Sequence, residues 1–250
     1  MTQPIETAQL TWTSDGIPQS QRFKDVYHSP QGGVEQAHHV FLTGNGLPTR
    51  WQGQDLFTIG ETGFGLGLNF LVTWAAWRQN PRRCSRLRMV SCELYPLTLS
   101  DLAAAQERLL ASHPLLYSLA QTLQAHWPAL TAGKHTLNLD EGAVQLTLIW
   151  RAADQALAEW PLLCNAWYLD GFAPQKNPQM WQPSVYNAMR RHSHLDATVA
   201  TFTVAGEVRR GLQAAGFHIE KTTGFGVKRQ MLQGKAGATA CHRVKLHEPS

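Results

Sequence analysis

The stretch Glu61-Thr62-Gly63-Phe64-Gly65-Leu66-Gly67 separates two segments of different periodicity. The preceding residues, 55–61, form a short apolar run that is typical of a buried strand. In residues 68–79 the apolar side chains recur at helical spacing. The sequence therefore predicts a strand that enters a helix through a glycine-rich turn, where a ligand can approach the backbone closely.

The chemistry of this turn restricts the ligand. Leu68 occupies the position of the last glycine of the dinucleotide pattern, and no Gly-Lys-Ser/Thr follows as in a P-loop. Glu61 ahead of the glycines would repel a pyrophosphate. It suits a ligand that has a cationic amino-acid end and a bulky sulfonium. The alternative is a structural turn that binds no ligand.

Predicted strands and helices alternate along the rest of the chain. This pattern indicates an α/β fold with a mostly parallel sheet and helices on both faces. The first 50 residues look β-rich, with a turn at Asp15-Gly16 and a further strand in residues 38–46. Ser100 is the predicted N-cap of a helix over residues 100–113, and residues 140–142 are the predicted turn of a hairpin.

Three regions are expected: a β-rich N-terminal extension packed on the catalytic domain (1–52), the catalytic domain (53–235) and a C-terminal tail or linker (236–250). The chain has 250 residues, of which 43% are hydrophobic and 16% are charged, so it is long enough to bury a core. No apolar run is long enough to span a membrane, and no secretory signal is evident. Four cysteines without a C-x-x-C pair predict a cytoplasmic protein without a zinc cluster or other metal.

The charge is unevenly distributed. The chain carries a net charge of +4, but residues 175–250 contain 11 basic and 4 acidic side chains. A basic C-terminal third suggests an anionic partner such as nucleic acid, although a solvated surface gives the same pattern. Single basic residues are usually solvated, and several here are candidates for phosphate contacts: Lys176, Arg190, Arg191, Arg209, Arg210, Lys228 and Arg229.

Acidic residues end three of the predicted strands. Ligands of such sheets bind beyond the carboxyl ends of the strands, so these acids are candidate site residues. Glu93 is placed to accept hydrogen bonds from both hydroxyls of an adenosine ribose, and its charge disfavours a 2′-phosphate. Asp154 is a candidate acceptor for an adenine amino group. An equal alternative is that it stabilises the N-terminus of a helix as an acid in the first turn.

The third acid, Asp170, lies in the segment Trp167-Tyr168-Leu169-Asp170-Gly171-Phe172-Ala173-Pro174. Gly171 and Pro174 direct the chain away from the sheet after the predicted strand. Phe172 and Trp181 are candidates for the aromatic walls of a pocket for a flat substrate, since bases stack on aromatic side chains. A turn aspartate with core aromatic residues is the alternative.

These segments resemble the methyltransferase domain of the MnmC family and its single-domain MnmD relatives. The resemblance covers residues 10–234 and is carried most specifically by Asp-Gly-Phe-Ala-Pro-x-Lys-Asn-Pro-x-Met-Trp (170–181) and Gly-Phe-Gly-x-Lys-Arg-x-Met (224–231). The chain departs from many relatives at His194-Leu195-Asp196, where they have an Arg-Pro-Gly-Gly-like turn. It also departs at Ala153, where they have glycine.

The resemblance implies a class I S-adenosylmethionine-dependent methyltransferase with a seven-stranded sheet. The implied reaction methylates the amine of 5-aminomethyl-(2-thio)uridine at the tRNA wobble position. A flavin (FAD)-dependent oxidase, either fused or separate, is the implied partner. The implied site residues are Glu61, Gly63, Gly65 and Gly67 in the cofactor loop, Glu93 at the ribose, Asp154 at the adenine, Tyr27 near the cofactor, and Asp170 beside the transferred methyl group.

Two other classes of protein remain as alternatives. A nicotinamide-dependent oxidoreductase would use the same type of sheet, but the loop spacing and Glu61 argue against it. A catalytically silent tRNA-binding module would not need the three acids Glu61, Glu93 and Asp170 together. Binding of a nicotinamide dinucleotide, or binding of tRNA without S-adenosylmethionine, would distinguish these classes.

Overall fold

The computed structural model describes residues 5–237. A small antiparallel sheet lies near the N-terminus, and its first two strands form the expected hairpin around Asp15-Gly16, in which Gly16 has φ +74°. This positive φ explains the glycine, because other residues adopt it only with strain. The three strands are β1 (Leu10–Trp12), β2 (Pro18–Ser20) and β3 (Asp25–Val26).

The strand expected in residues 38–46 is wrong, because this segment is helical. Helix α1 (Gly33–Ala37) continues into helical turns over His38–Leu42 and Thr43–Asn45. A short apolar run next to glycines fits a buried helix as well as a buried strand. Here the side-chain amide of Asn45 donates to the Phe41 carbonyl at 2.9 Å and stabilises the helical turn.

The central sheet has eight strands in the order β10-β11-β9-β8-β4-β5-β7-β6. Strand β4 pairs in parallel with β5 and β8, β5 with β7, and β8 with β9, whereas the remaining three pairs are antiparallel. The strands are β4 (Leu56–Thr62), β5 (Arg86–Cys92), β6 (Gly133–Leu139), β7 (Val144–Trp150), β8 (Cys164–Leu169), β9 (Ser193–Thr201), β10 (Phe217–Thr223) and β11 (Gln230–Ala236).

The expected α/β class with a mostly parallel sheet is confirmed, with eight strands in place of seven. The predicted hairpin at residues 140–142 is present, and β6 is its first arm. Strand β6 pairs with β7 alone and forms an antiparallel edge of the sheet. The additional strand is therefore the hairpin arm.

Helices cover both faces of the sheet. Buried side chains of α2 and α4 belong to one apolar cluster, and those of α5, α6 and α7 belong to another. The N-cap of α3 is Thr98 and not Ser100, since the Thr98 hydroxyl accepts from the Asp101 amide at 3.2 Å. The helices are α2 (Leu68–Gln79), α3 (Leu99–Leu110), α4 (Pro114–Ala125), α5 (Ala153–Ala158), α6 (Pro183–Arg191) and α7 (Gly206–Ala214).

The N-terminal extension contacts the domain of the larger sheet at several points. The Ala8 amide donates to the Pro96 carbonyl at 3.0 Å, and Val40 and Phe41 belong to the same apolar cluster as α2. Strand β11 ends at Ala236, so the expected tail begins at the end of this strand, and its residues 238–250 lie outside the described residues. Within residues 5–237, no helix is long and apolar enough to cross a membrane.

The register of the parallel strands determines where the site lies. Glu61 pairs with Tyr168 across β4 and β8, and Thr62 pairs with Leu169. Because β4, β5 and β8 are parallel neighbours, their carboxyl ends meet at one edge of the sheet. This edge brings together the glycine turn at 63–67, Glu93 and Asp170.

Candidate active site

A cavity of about 890 Å³ lies at this edge of the sheet. It is lined by part of the glycine turn, by the ends of β5 and β8, and by residues of the N-terminal extension. Nine of the residues predicted for the site line this cavity: Tyr27, Gly63, Gly65, Glu93, Asp154, Asp170, Phe172, Lys176 and Lys228. Six do not: Glu61, Gly67, Trp181, Arg209, Arg210 and Arg229.

The glycine turn has a backbone conformation that only glycine adopts without strain. Gly63, Gly65 and Gly67 have φ values of +87°, +52° and +69°. A Cβ atom on Gly65 would lie 3.3 Å from the Tyr27 ring, and one on Gly67 would lie 2.8 Å from the Phe64 ring. Gly65 therefore keeps open the gap between the turn and Tyr27, whereas Gly67 serves packing inside the turn.

Glu93 is held at the cavity wall by main-chain amides. Its Oε2 accepts from the Gly65 amide at 3.1 Å, and its Oε1 accepts from the Tyr95 amide at 3.0 Å. Burial raises the pKa of Glu93, and these hydrogen bonds oppose the rise. Each carboxylate oxygen has a second lone pair, so Glu93 retains two acceptor positions for ligand hydroxyls.

Tyr27 and Asp154 also line the cavity, and Tyr27 lies near Glu93. Tyr27 is half-buried, and burial together with the nearby Glu93 charge raises the pKa of its phenol, so it is neutral near pH 7. Asp154 lies in the first turn of the short helix α5 and is exposed. No side-chain hydrogen bond caps that helix, so its position is compatible with either expected role.

The position of Glu61 in the sequence had suggested direct contact with a ligand. In the structure Glu61 does not line the cavity. Its residue is 1% exposed, because β4 is covered on both faces. Its carboxylate accepts from the Ser91 hydroxyl at 2.6 Å and from the Asn69 side-chain amide at 2.9 Å. Burial raises the pKa of Glu61 to about 8, so this acid is largely neutral near pH 7.

Asp170 is the acid that lines the cavity beside the glycine turn. Its Oδ2 accepts from the Asn69 amide at 2.7 Å, and its Oδ1 accepts from the Gly171 amide at 2.8 Å. Burial raises the pKa of Asp170 to about 6, which leaves it ionised near neutral pH and more basic than a free aspartate.

Asn69 is a site residue that the sequence reasoning missed. It lies in the first turn of α2, lines the cavity and contacts both Glu61 and Asp170. The sequence signal for this residue was an amide side chain within the apolar run Leu-Asn-Phe-Leu-Val, where a buried residue is expected. Helical periodicity alone does not distinguish such a residue from a solvent-facing one.

An aromatic group forms part of the cavity wall. The Phe172 ring lies 4.9 Å from the Phe23 ring and 5.1 Å from the Tyr27 ring, measured between centroids. Trp181 is buried, and its indole nitrogen donates to the Phe172 carbonyl at 2.9 Å. Phe172 thus faces the cavity, whereas Trp181 supports the Phe172 loop from behind.

The predicted basic residues occupy different environments. Lys176 donates to Asp25 Oδ1 at 2.9 Å and to the Lys24 carbonyl at 2.6 Å. The Lys228 ammonium lies 4.0 Å from the centroid of the Phe202 ring at the cavity mouth, where desolvation lowers its pKa. Arg209 and Arg210 lie on α7, and Arg229 is exposed in the loop before β11.

The cavity suits a ligand rich in hydrogen-bond donors and positive charge. Glu93, Asp154 and Asp170 supply acceptors along its length, and the space beside Gly65 would be narrowed by any side chain. Adenosine hydroxyls, an adenine amino group and an amino-acid ammonium match these acceptors. No group of three His, Cys, Asp or Glu residues in the described part of the chain is arranged to hold a metal ion.

Comparisons with known proteins show what the chain is similar to. The family described as S-adenosyl-L-methionine-dependent methyltransferase matches residues 114–237. The chain is 53% identical over 232 residues to the tRNA 5-methylaminomethyl-2-thiouridine biosynthesis bifunctional protein MnmC of Azoarcus sp. (strain BH72). It is 47% identical over 249 residues to the protein of the same name from Paraburkholderia phymatum. These matches cover 93% and 100% of the chain.

Among solved structures, MNMC2 from Aquifex aeolicus superposes with a TM-score of 0.72 at 19% identity, over 96% of this chain and 73% of that chain. This likeness shows the fold. The chain has the fold of the S-adenosyl-L-methionine-dependent methyltransferases, and its residues 114–237 match that family. It is similar to the MnmC proteins over most of its own length, and it spans 36% and 38% of the length of the two relatives named above.

Proposed function

We propose that this chain methylates the amine of 5-aminomethyl-(2-thio)uridine at the wobble position of tRNA, giving 5-methylaminomethyl-(2-thio)uridine. The observation that carries the proposal is Asp170, a partly buried carboxylate beside the glycine turn with a raised pKa. The MnmC relatives are named for biosynthesis of this nucleoside. An amine substrate beside the glycine turn would need an acid of this kind.

The cofactor would lie along the glycine turn. When bound, S-adenosylmethionine supplies a methyl group on a positively charged sulfur. Glu93 would accept the ribose hydroxyls, Asp154 the adenine amino group, and Gly63 and Gly65 would allow close approach of the ligand. Tyr27 would cover the ligand opposite Gly65, since its ring already lies next to that glycine.

Asp170 would prepare the amine. An amine attacks only through a free lone pair, and an aminomethyl group is largely protonated near neutral pH. Ionised Asp170 would accept a hydrogen bond from the ammonium, take up the proton and release it to water. Its raised pKa makes it a better proton acceptor than a free aspartate, and its position fixes the direction of the nitrogen lone pair.

The substrate base would enter beside the aromatic group. Phe172 and Phe23 offer ring surfaces against which a base can stack, which contributes about 1–3 kcal/mol per base. Lys228 at the mouth, and Arg209, Arg210 and Arg229 outside the cavity, would contact phosphates. The wobble base would leave the anticodon stack to reach Asp170, as bases do in other modifying enzymes.

The aminomethyl substrate requires a preceding step. We infer an FAD-dependent oxidase as partner, either on the same polypeptide or separate, because the chain spans little more than a third of its bifunctional relatives. A cytoplasmic location fits the buried free thiols of Cys84, Cys92 and Cys164. Neither a nicotinamide oxidoreductase nor a silent binding module is favoured, since the matching family is defined by S-adenosylmethionine-dependent methylation.

A methyl-transfer assay tests the proposal. Purified protein and labelled S-adenosylmethionine are mixed with tRNA from a strain that lacks the final methylation, and the nucleosides are identified by mass spectrometry. We expect label in 5-methylaminomethyl-2-thiouridine, and none with tRNA that is already fully modified. Intact cofactor binding without methyl incorporation would contradict the proposed substrate.

A further inference from the structure

Asn69 links the two buried acids at the centre of the site. Its side-chain nitrogen donates to Glu61 Oε1 at 2.9 Å and to Asp170 Oδ2 at 2.7 Å. A primary amide has two N–H groups, so both are used on carboxylates. The orientation of the amide is therefore fixed, because the flipped rotamer would place its carbonyl oxygen against two acids.

Asn69 is also the only side chain, within residues 5–237, that donates a hydrogen bond to the Asp170 carboxylate. The other donor is the Gly171 main-chain amide, at 2.8 Å from Oδ1. Two titratable groups face Asp170: Lys228 from the loop between β10 and β11, and Glu61 from the end of β4. Because β4 and β8 are adjacent strands, the two acids would repel each other if both were ionised with nothing between them.

We propose that Asn69 is a positioning residue that keeps the Asp170 carboxylate ionised and directed along the cavity wall. This inference deepens the proposed function, on which its catalytic consequence rests. The hydrogen bond to the charged form stabilises it, and the second hydrogen bond anchors the amide to Glu61, which does not line the cavity. Glu61 thus contributes to the site through Asn69.

The chemical consequence concerns the proton acceptor. Burial raises the pKa of Asp170, and the Asn69 hydrogen bond opposes this rise. Without the amide, Asp170 would be protonated over more of the neutral range and unable to accept the substrate proton. Burial also keeps Glu61 largely neutral, so the negative charge of the pair resides on Asp170, where an ammonium can meet it.

Titration of Asp170 by carbon-13 NMR tests the inference without turnover. The full chain is labelled at aspartate carboxyl carbons, and the Asp170 signal is assigned by its loss in Asp170→Asn. We expect Asn69→Leu to raise the pKa of Asp170 by about one pH unit, and Asn69→Asp to raise it further through like-charge repulsion. Thr73→Val is the matched control: this residue lies one turn along α2, donates to the Asn69 main-chain carbonyl at 2.7 Å and contacts the Tyr168 hydroxyl, but bonds neither acid.

A kinetic measurement on the same variants tests the consequence. In Asn69→Leu we expect turnover near pH 7 to fall about twofold, because a pKa raised by about one unit from about 6 leaves roughly half of Asp170 ionised, and to recover near pH 9. A merely structural role would lower turnover equally at both pH values. An unchanged Asp170 pKa in both Asn69 variants would overturn the inference. A raised pKa in an enzyme that does not methylate this tRNA would support the inference while the proposed function fails.

Discussion

The two sides of the cavity are built differently. The proposed cofactor side consists of Gly63, Gly65 and Glu93, which directly follow strand ends, and Asp154, which lies in the first turn of α5. Glu93 reaches Gly65 across 28 residues of sequence. The substrate side, consisting of Phe23, Asp25, Phe172, Lys176 and Lys228, joins segments that are far apart: Asp25 accepts from the Ala173 amide across 148 residues.

This difference separates two kinds of structural information. The cofactor side depends on the parallel sheet and on glycine conformations, which local sequence patterns indicate. The substrate side depends on packing of the N-terminal extension against the loop after β8, which no local pattern indicates. Substitutions on one side should therefore leave the other side largely intact, and Asp170, where the two sides meet, should affect the reaction most.

The largest effect is expected at Asp170. Asp170→Ala should lower kcat by roughly 10²–10⁴-fold, because it removes the proton acceptor and the group that orients the amine. The Kd for S-adenosylmethionine, measured by calorimetry, should change by no more than about threefold. An unchanged kcat with weakened cofactor binding would instead place Asp170 wholly on the cofactor side.

A substitution at Gly65 should damage only the cofactor side. In Gly65→Ala the new Cβ would lie 3.3 Å from the Tyr27 ring, and we expect the Kd for S-adenosylmethionine to rise about tenfold. Gly53→Ala is the matched control, because Gly53 has φ +71° with no atom within 4 Å of the added Cβ. Both variants should lose about 1–2 kcal/mol of stability from the positive φ. Equal cofactor affinities in the two variants would contradict the role of the gap.

A substitution at Asp25 should damage only the substrate side. Asp25→Ala removes the acceptor for Lys176 and for the Ala173 amide, so the Phe172 loop loses two anchors. We expect the KM for tRNA to rise by about tenfold, which is the lower end of the effect of losing a hydrogen bond to a charged group. The Kd for S-adenosylmethionine should stay constant. Glu220→Ala, with the same charge change on β10, should alter neither constant.

The smallest effect on turnover is expected for substitution of Glu61. Such a substitution should instead change how the free energy of unfolding depends on pH. Burial raises the pKa of Glu61 from 4.5 to about 8, so the folded chain binds this proton more tightly than the unfolded chain. Its contribution to stability is therefore largest below pH 4.5 and is lost as pH rises through about 8. Glu61→Gln should flatten the fall in unfolding free energy over this window, as measured by urea denaturation at several pH values. Parallel curves for the two proteins would contradict the buried protonated acid.

Several expectations from the sequence are confirmed because strong local signals produced them. The strand–turn–helix unit around residues 61–67 and the hairpin at 140–142 follow from apolar periodicity and turn residues. The segment 38–46 was misassigned, since a short apolar run does not distinguish a buried strand from a buried helix. The N-cap of α3 was predicted two residues too late, because Thr98 and Ser100 are both good capping residues.

The sequence by itself determined the class of the fold and the strand-end acids, since periodicity, glycine turns and strand ends are local properties of a chain. The tertiary structure alone decided which acid lines the cavity. It enclosed Glu61 in the sheet, placed Asp170 at the wall and set Asn69 between them. It also made Trp181 a support for the loop and Phe172 part of the wall. The physical reason is burial, because solvent access depends on the packing of segments distant in sequence.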